Sequence, residues 1–222
     1  MGKFKIISKS EKPFRDRSEA AQLLAHELTL PPLLKPVILG IPRGGVIVAE
    51  EVAKQLGGTM DIVLTHKLGA SYNPELAIGA VTESGKVFLM DSELGEKAAH
   101  YIEAEKARQL LLLHERAKSY RQWLPKAPLR GSYVIVVDDG VAMGFTMRAA
   151  LWAAAQESPA KLIAAIPVGP EETVRELAHY ADETICLRAP DSFQGVGQFY
   201  SSFEPVEDKD LLELFKNRRE AS

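Results

Sequence analysis

Short apolar runs closed by glycine, proline or acidic residues punctuate the chain, and stretches with helical spacing fill the gaps between them. Val37 to Ile41 (VILGI), Asp61 to Thr65 (DIVLT), Val134 to Val137, Lys161 to Val168 (KLIAAIPV) and Glu183 to Leu187 are short and lack a polar residue at every second position. Such runs read as strands covered on both faces, the habit of a parallel sheet. Between them Val46 to Leu56, Met147 to Gln156 and Glu171 to Tyr180 read as helices, the first ended by Gly57-Gly58. Ahead of the first strand, Asp16 and Glu19 form a capping-box pattern. Ala20, Ala21, Leu23, Leu24 and Leu28 then gather on one side of a helix that stops before Pro31-Pro32. Strand and helix alternate from residue 37 to residue 187, which predicts a doubly wound, mainly parallel α/β sheet.

Two stretches depart from this rhythm. Leu76 to Thr82 and Lys86 to Met90, joined by Glu83-Ser84-Gly85, have hairpin composition, and the preceding ASYNPE reads as loop. Glu93 to Trp123 reads as one long helix, with Gly95 as a point of interruption and Ala99, Ile102, Leu110 and Leu113 among its apolar positions. Lys97, Lys106, Arg108, Arg116, Lys118 and Arg121 make it basic, and a solvated face is the favoured reading, because no aromatic platform is interleaved. From Arg188 onward the period is lost; Leu211, Leu212 and Phe215 are expected to dock a last helix. The expected organisation is a single domain over 1–222, with a core of about 14–187, a hairpin lid of about 66–90 and a hood of about 188–222.

Composition narrows the classes. With 222 residues and 46% apolar content the chain can bury one substantial core. A net charge of −3 exerts no overall pull toward nucleic acid or anionic lipid. The lone Cys186 lies in an apolar run and reads as a buried strand thiol. No run approaches the length of a membrane span, the first residues lack a signal-peptide core, and Ile6 breaks the myristoylation pattern, so a cytoplasmic protein is expected. Phosphate-loop, nucleophile-elbow and zincin motifs do not occur, and His26, His66, His100, His114 and His179 lack ligand spacing.

The candidate chemistry centres on VIVVDDGVAMGFT, residues 134–146. Asp138 and Asp139 stand where the strand runs out, followed by a loop with Gly140 and Gly144 and then a helix. Beyond the carboxyl end of a parallel strand, paired acids suit sugar hydroxyls, and helix N-terminal amides with the Thr146 hydroxyl suit a phosphate. Arg43 with Gly44 and Gly45, after the first strand, joins one fixed charge to backbone donors that can approach a pyrophosphate. Lys67 follows the second strand.

The 134–146 string resembles the 13-residue phosphoribosyl pyrophosphate (PRPP) signature of type I phosphoribosyltransferases. One position departs: Met143 stands where the family usually has a threonine. The resemblance implies that Asp138 and Asp139 hold the ribose hydroxyls, and that Ala142, Met143, Gly144, Phe145 and Thr146 form the 5-phosphate loop. It also implies that Arg43, Gly44, Gly45 and Lys67 hold pyrophosphate. A hairpin lid over 66–90 then excludes water, and magnesium is held by PRPP oxygens and water with the two acids nearby. The stretch from Arg188 resembles the purine-branch hood, with Pro190 and Asp191 leading to Phe193, Val196 and Gly197 as base-binding residues, although one extra residue separates Phe193 from Val196. The alternative for this stretch is a loop in which Phe199, Tyr200 and Phe203 pack on the domain edge. Gly169-Pro170-Glu171 stands where the purine branch has a 6-oxo-reading lysine, so a 6-oxopurine is not supported. Ala142 replaces the acid that the oxopurine enzymes direct to the base, as in the adenine and orotate branches.

The expected activity is transfer of the 5-phosphoribosyl group from PRPP to a purine- or pyrimidine-like base in nucleotide salvage, with Mg2+. The partners are small molecules, no membrane or nucleic acid is implied, and a homodimer is left open. The rival is a PRPP- or nucleotide-sensing regulator of the same fold without turnover, which Met143 favours. A third reading is a structural subunit with a vestigial pocket.

Overall fold

Val134, Ile135, Val136 and Val137 are fully buried, and the direction in which each points divides the molecule into layers. In this computed structural model, which describes residues 2–89 and 99–220 without the side chains of 74–77, they form β7 (Tyr133–Val137), a central strand. Ile135 and Val137 join one apolar cluster, and Val134 and Val136 the opposite one. Alternate side chains of a strand point to opposite faces, so both faces of this strand are covered. Each fully buried Val or Ile contributes about 1.5–3 kcal/mol relative to exposure.

The main sheet has six parallel strands in the order β1-β9-β8-β7-β2-β3, where β1 is Lys3–Ser8, β2 Val37–Gly40, β3 Thr59–Ile62, β8 Lys161–Val168 and β9 Glu183–Arg188. Three helices, α1 (Arg17–Glu27), α2 (Gly44–Leu56) and the C-terminal α6 (Asp208–Glu220), bury Leu24, Val52 and Phe215 on one face. The other face takes α4 (Phe145–Ala155) and α5 (Glu171–Leu177) through Met147, Leu151 and Val174. Helices on both sides of a parallel sheet make this the doubly wound α/β class. From β2 the chain passes outward to β3, whereas from β7 it passes the other way through β8 to β9. The strand order therefore reverses between β2 and β7, where such sheets bind ligands at their carboxyl ends.

Several boundaries differ from the sequence reading. Strand β1 was not foreseen: its burial alternates between exposed and half-covered along an edge pairing with β9, leaving only Phe4, Ile6 and Ile7 as apolar signal. The expected strand 61–65 is cut in two, because the chain leaves the main sheet after Ile62 and begins β4 (Thr65–Ala70). Of the ASYNPE stretch read as loop, only Ser71 and Tyr72 turn: Ala70 ends β4 and pairs with Asn73, where β5 (Asn73–Thr82) begins, with register shifts around Gly69. The helix expected over 171–180 ends at Leu177. Leu23 is 44% exposed, and the buried stripe of α1 runs through Ala20, Ala21, Leu24 and Ala25 instead. Met90 and residues 93–98 of the long-helix reading lie outside the described residues.

Strands β4, β5 and β6 (Val87–Leu89) form a second, antiparallel sheet. Leu68, Ile78 and Val81 pack on Ile102 of α3 (Ala99–Arg121), while Ala80 and Phe88 pack on Ala149 of α4. The sheet is thus held between two helices. Arg121 fastens it to the main sheet by donating to buried Asp61 and, at 3.0 Å, to Glu83 in the hairpin turn. Burial pushes the Asp61 carboxyl up and the Arg121 charge opposes that shift. Several basic groups of α3 are already matched, Arg108 with Glu105, Lys106 with Glu103 and Arg116 with Asp208, in keeping with a solvated face.

Candidate active site

Two strand-to-helix turns meet at the reversal of strand order. Gly40 of β2 is in register with Val137 of β7, so Ile41 to Gly45 and Asp138 to Gly144 leave the sheet side by side. In the first turn Arg43 precedes α2, and the Pro42-Arg43 peptide is cis. A β-carbon on Gly44 would lie 1.9 Å from Asp139 Oδ2, and one on Gly45 would lie 2.8 Å from the Val137 carbonyl oxygen. Only glycine lets this turn rest against the acids.

The second turn is open. Gly144 takes φ 68°, in the left-handed region that glycine reaches without steric cost, and starts α4 with no side-chain cap. This helix start has no side-chain acceptor from its cap residue, whereas Asp16 caps α1 by accepting from Glu19 N. Asp138 and the residues from Gly140 to Met147 line a concavity of about 250 Å³. Thr146 is exposed at its mouth, and so is Met143, at 81%. The loop is braced from behind: Thr173 Oγ1 donates to the Ala142 carbonyl at 2.8 Å and Arg148 Nη2 donates to the Met143 carbonyl at 3.3 Å.

The two acids sit in different electrostatic settings. Burial, reinforced by the neighbouring Asp139 charge, holds the Asp138 carboxyl well above the usual carboxylate range. Asp139 accepts from Arg17 Nε at 2.8 Å in a pair whose side chains are 11% and 14% exposed. Its backbone carbonyl accepts from the Tyr200 hydroxyl at 2.5 Å. Burial, and next the Asp139 charge, push the Tyr200 phenol far up, so it remains a donor at all ordinary pH.

The sequence-derived candidates are distributed over three groups. Gly44, Gly45, Asp138, Asp139 and the loop 142–146 come together at the reversal. Arg43 is exposed, with its guanidinium 4.0 Å from Asp208, and Asp208 also accepts from Tyr120 at 2.8 Å. Lys67 stands on the second sheet opposite Ala80, on the face that packs toward α4, and its side chain is exposed. In the C-terminal segment Val196 covers Gly140, where an added β-carbon would lie 2.6 Å from Val196 Cγ1. Gly197 rests near the Phe203 ring, and Phe193 stacks on Phe199 at 5.4 Å. Phe199 and Tyr200 are buried. Arg17 and Tyr200 were missed as members of the site. Arg17 carried one weak signal, a positive charge in the first turn of a helix, where the macrodipole disfavours it.

Paired acids, a glycine-limited turn and an uncapped helix start thus meet at the reversal of strand order, the place where α/β sheets of this kind bind ligands. The chain belongs to the phosphoribosyl transferase domain family, whose profile matches residues 20–204. It is 38% identical over 205 residues to two Mycobacterium tuberculosis proteins, from strains CDC 1551 and H37Rv, provisionally named phosphoribosyl transferases. The match covers 90% of this chain and 46% of each relative, so the chain spans about half the length of those proteins. The crystal structure of TT1426 from Thermus thermophilus superposes with a TM-score of 0.85 at 45% identity, covering 92% of this chain and 98% of that one.

Proposed function

We propose that the protein transfers the 5-phosphoribosyl group of PRPP to a nitrogenous base, purine- or pyrimidine-like, with release of pyrophosphate. The observation that carries this reading is the contact of the Gly44–Gly45 turn with Asp138 and Asp139 beside the open 144–146 loop. Asp138 and Asp139 accept from the ribose hydroxyls. The amides of Gly144, Phe145 and Thr146, with the Thr146 hydroxyl, receive the 5-phosphate, while Arg43, the Gly44 and Gly45 amides and Lys67 receive the pyrophosphate. As the bond from C1 to the pyrophosphate oxygen breaks, a bond to the base nitrogen forms, and the nitrogen's proton leaves to solvent. Rate then comes from positioning and from stabilising charge on the leaving group.

Magnesium fits this donor set, since the site offers hard carboxylate oxygens and the substrate supplies phosphate and hydroxyl oxygens. When bound, it neutralises pyrophosphate charge. Phe193, Val196 and Gly197 are the base-side residues in this reading, and small molecules in a cytoplasmic salvage role are its partners. Among the described residues no helix is long and apolar enough to cross a membrane.

One observation favours a second reading, a PRPP- or nucleotide-sensing regulator. The exposed Met143 offers a thioether where the loop needs a donor. A screen of bases for base-dependent pyrophosphate release from PRPP and Mg2+ decides. Release with any base supports the transferase, and PRPP binding with no release from a broad panel leaves the sensor.

A further inference from the structure

We propose that Arg17 is a positioning residue that fixes the Asp139 carboxylate and ties Phe203 and Glu204 of the C-terminal segment to it, so that sugar binding is coupled to the seating of that segment. This rests on the reading of Asp139 as a ribose ligand. Arg17 uses each part of its guanidinium differently. Nε donates to Asp139 Oδ2 at 2.8 Å, Nη1 donates to the Glu204 carbonyl at 2.9 Å, and the Phe203 ring lies 3.9 Å from the central carbon. The same Nε lies 3.1 Å from where a β-carbon on Gly44 would stand, so Arg17 touches the acid, the glycine turn and the C-terminal segment at one point.

The segment is fastened to the same turn a second time. Tyr200 stacks on Phe203 at 5.0 Å and donates to the Asp139 carbonyl. Its neighbours are anchored to the chain just before α1, with Ser201 N donating to the Phe14 carbonyl at 2.7 Å and Ser202 N to the Arg15 carbonyl at 2.9 Å. A shift of this segment therefore pulls on Arg17, and Arg17 pulls on Asp139. Lysine cannot reproduce the arrangement, because a point charge lacks both the planar fork and the flat face that stacks on Phe203.

Calorimetry of PRPP with Mg2+ at pH 7, with melting temperatures measured alongside, tests this on the wild type, Arg17→Met, Arg17→Lys and Phe203→Leu. We expect Arg17→Met to lose tenfold or more, Arg17→Lys to recover part of that loss, and Phe203→Leu to lose two- to fivefold. Wild-type affinity in Arg17→Met, with only its melting temperature lowered, would overturn the proposal. Should Arg17→Met fail to fold, wild-type affinity in both Arg17→Lys and Phe203→Leu overturns it equally. A wild type that binds no PRPP removes the parent reading and this inference with it, a result distinct from binding that ignores Arg17.

Discussion

The two turns at the reversal of strand order begin alike and end differently. The turn after β2 is closed: Gly44 and Gly45 lie where no β-carbon fits, and their neighbours are an acid and a strand carbonyl. The turn after β7 is open, with Met143 and Thr146 exposed at the mouth of a concavity. A closed turn sets distances, and an open one leaves amides for a ligand. Adjacent strands in one register thus hold a rigid spacer and a receptacle next to each other, and each can be broken separately.

The largest effect is expected at the seam between them. Asp138→Asn combined with Asp139→Asn removes two charge-assisted acceptors, each contributing ~1.5–3 kcal/mol, so PRPP affinity should fall over about a hundredfold. Circular dichroism should still report a folded domain, since asparagine is close in size and the buried Asp138 carboxyl is already costly to ionise. Unchanged affinity in calorimetry would remove the acids from the site.

The closed turn is tested by two alanines with opposite signatures. In Gly44→Ala the new β-carbon displaces the Asp139 carboxylate, the movable end of a side chain, so PRPP affinity should fall about tenfold with a small change in melting temperature. In Gly45→Ala it meets the Val137 carbonyl and the Asp138 backbone, which cannot yield, so stability should fall by ~1–3 kcal/mol in urea unfolding. If both variants lose only stability, the turn is a packing element and the spacer reading fails.

Lys67 adds a third region. PRPP should protect residues 68–82 against limited proteolysis, and Lys67→Ala should remove most of that protection. Equal cleavage with and without PRPP would make the second sheet a fixed part of the fold, which its packing between α3 and α4 already favours in part.

The smallest effect belongs to the open turn. Met143→Thr restores a donor at the loop and should tighten PRPP by at most the ~1.5–3 kcal/mol of one hydrogen bond to a charged group, and by less where water already serves. The 81% exposure of Met143 removes the cavity cost that a packed methionine would carry, so the melting temperature of the free protein should hardly move. Weaker binding with a large fall in melting temperature would make Met143 a structural member of a rebuilt loop.

What could be read in advance follows from how local each signal is. The parallel strands and the 138–146 turn were legible because short β-branched runs, glycines and paired acids state their role within a dozen residues. Strand β1 was not, because an edge strand half covered by Phe4 and Ile6 carries little more apolar signal than a surface segment. Strand β4 was hidden by Gly69 and Asn73, which read as loop but sit at register shifts in a paired ladder. Arg17 lay furthest from reach: its partner is 122 positions away, and no local pattern announces a pair of that span.

The pairing of Lys3 with Glu183 and of Phe14 with Tyr200 has a consequence for how the protein comes into being. During synthesis the first strand emerges long before its partner strand exists, at roughly 5–20 residues per second a wait of about 10–40 s. Through that interval the middle strands and the second sheet can assemble from neighbours close in sequence, while the edge position beside β9 and the clasp over Asp139 cannot. A nascent chain halted before Tyr200 therefore carries Asp139 with Arg17 but without Tyr200, Phe203 and Glu204, which brace the turn from the other side.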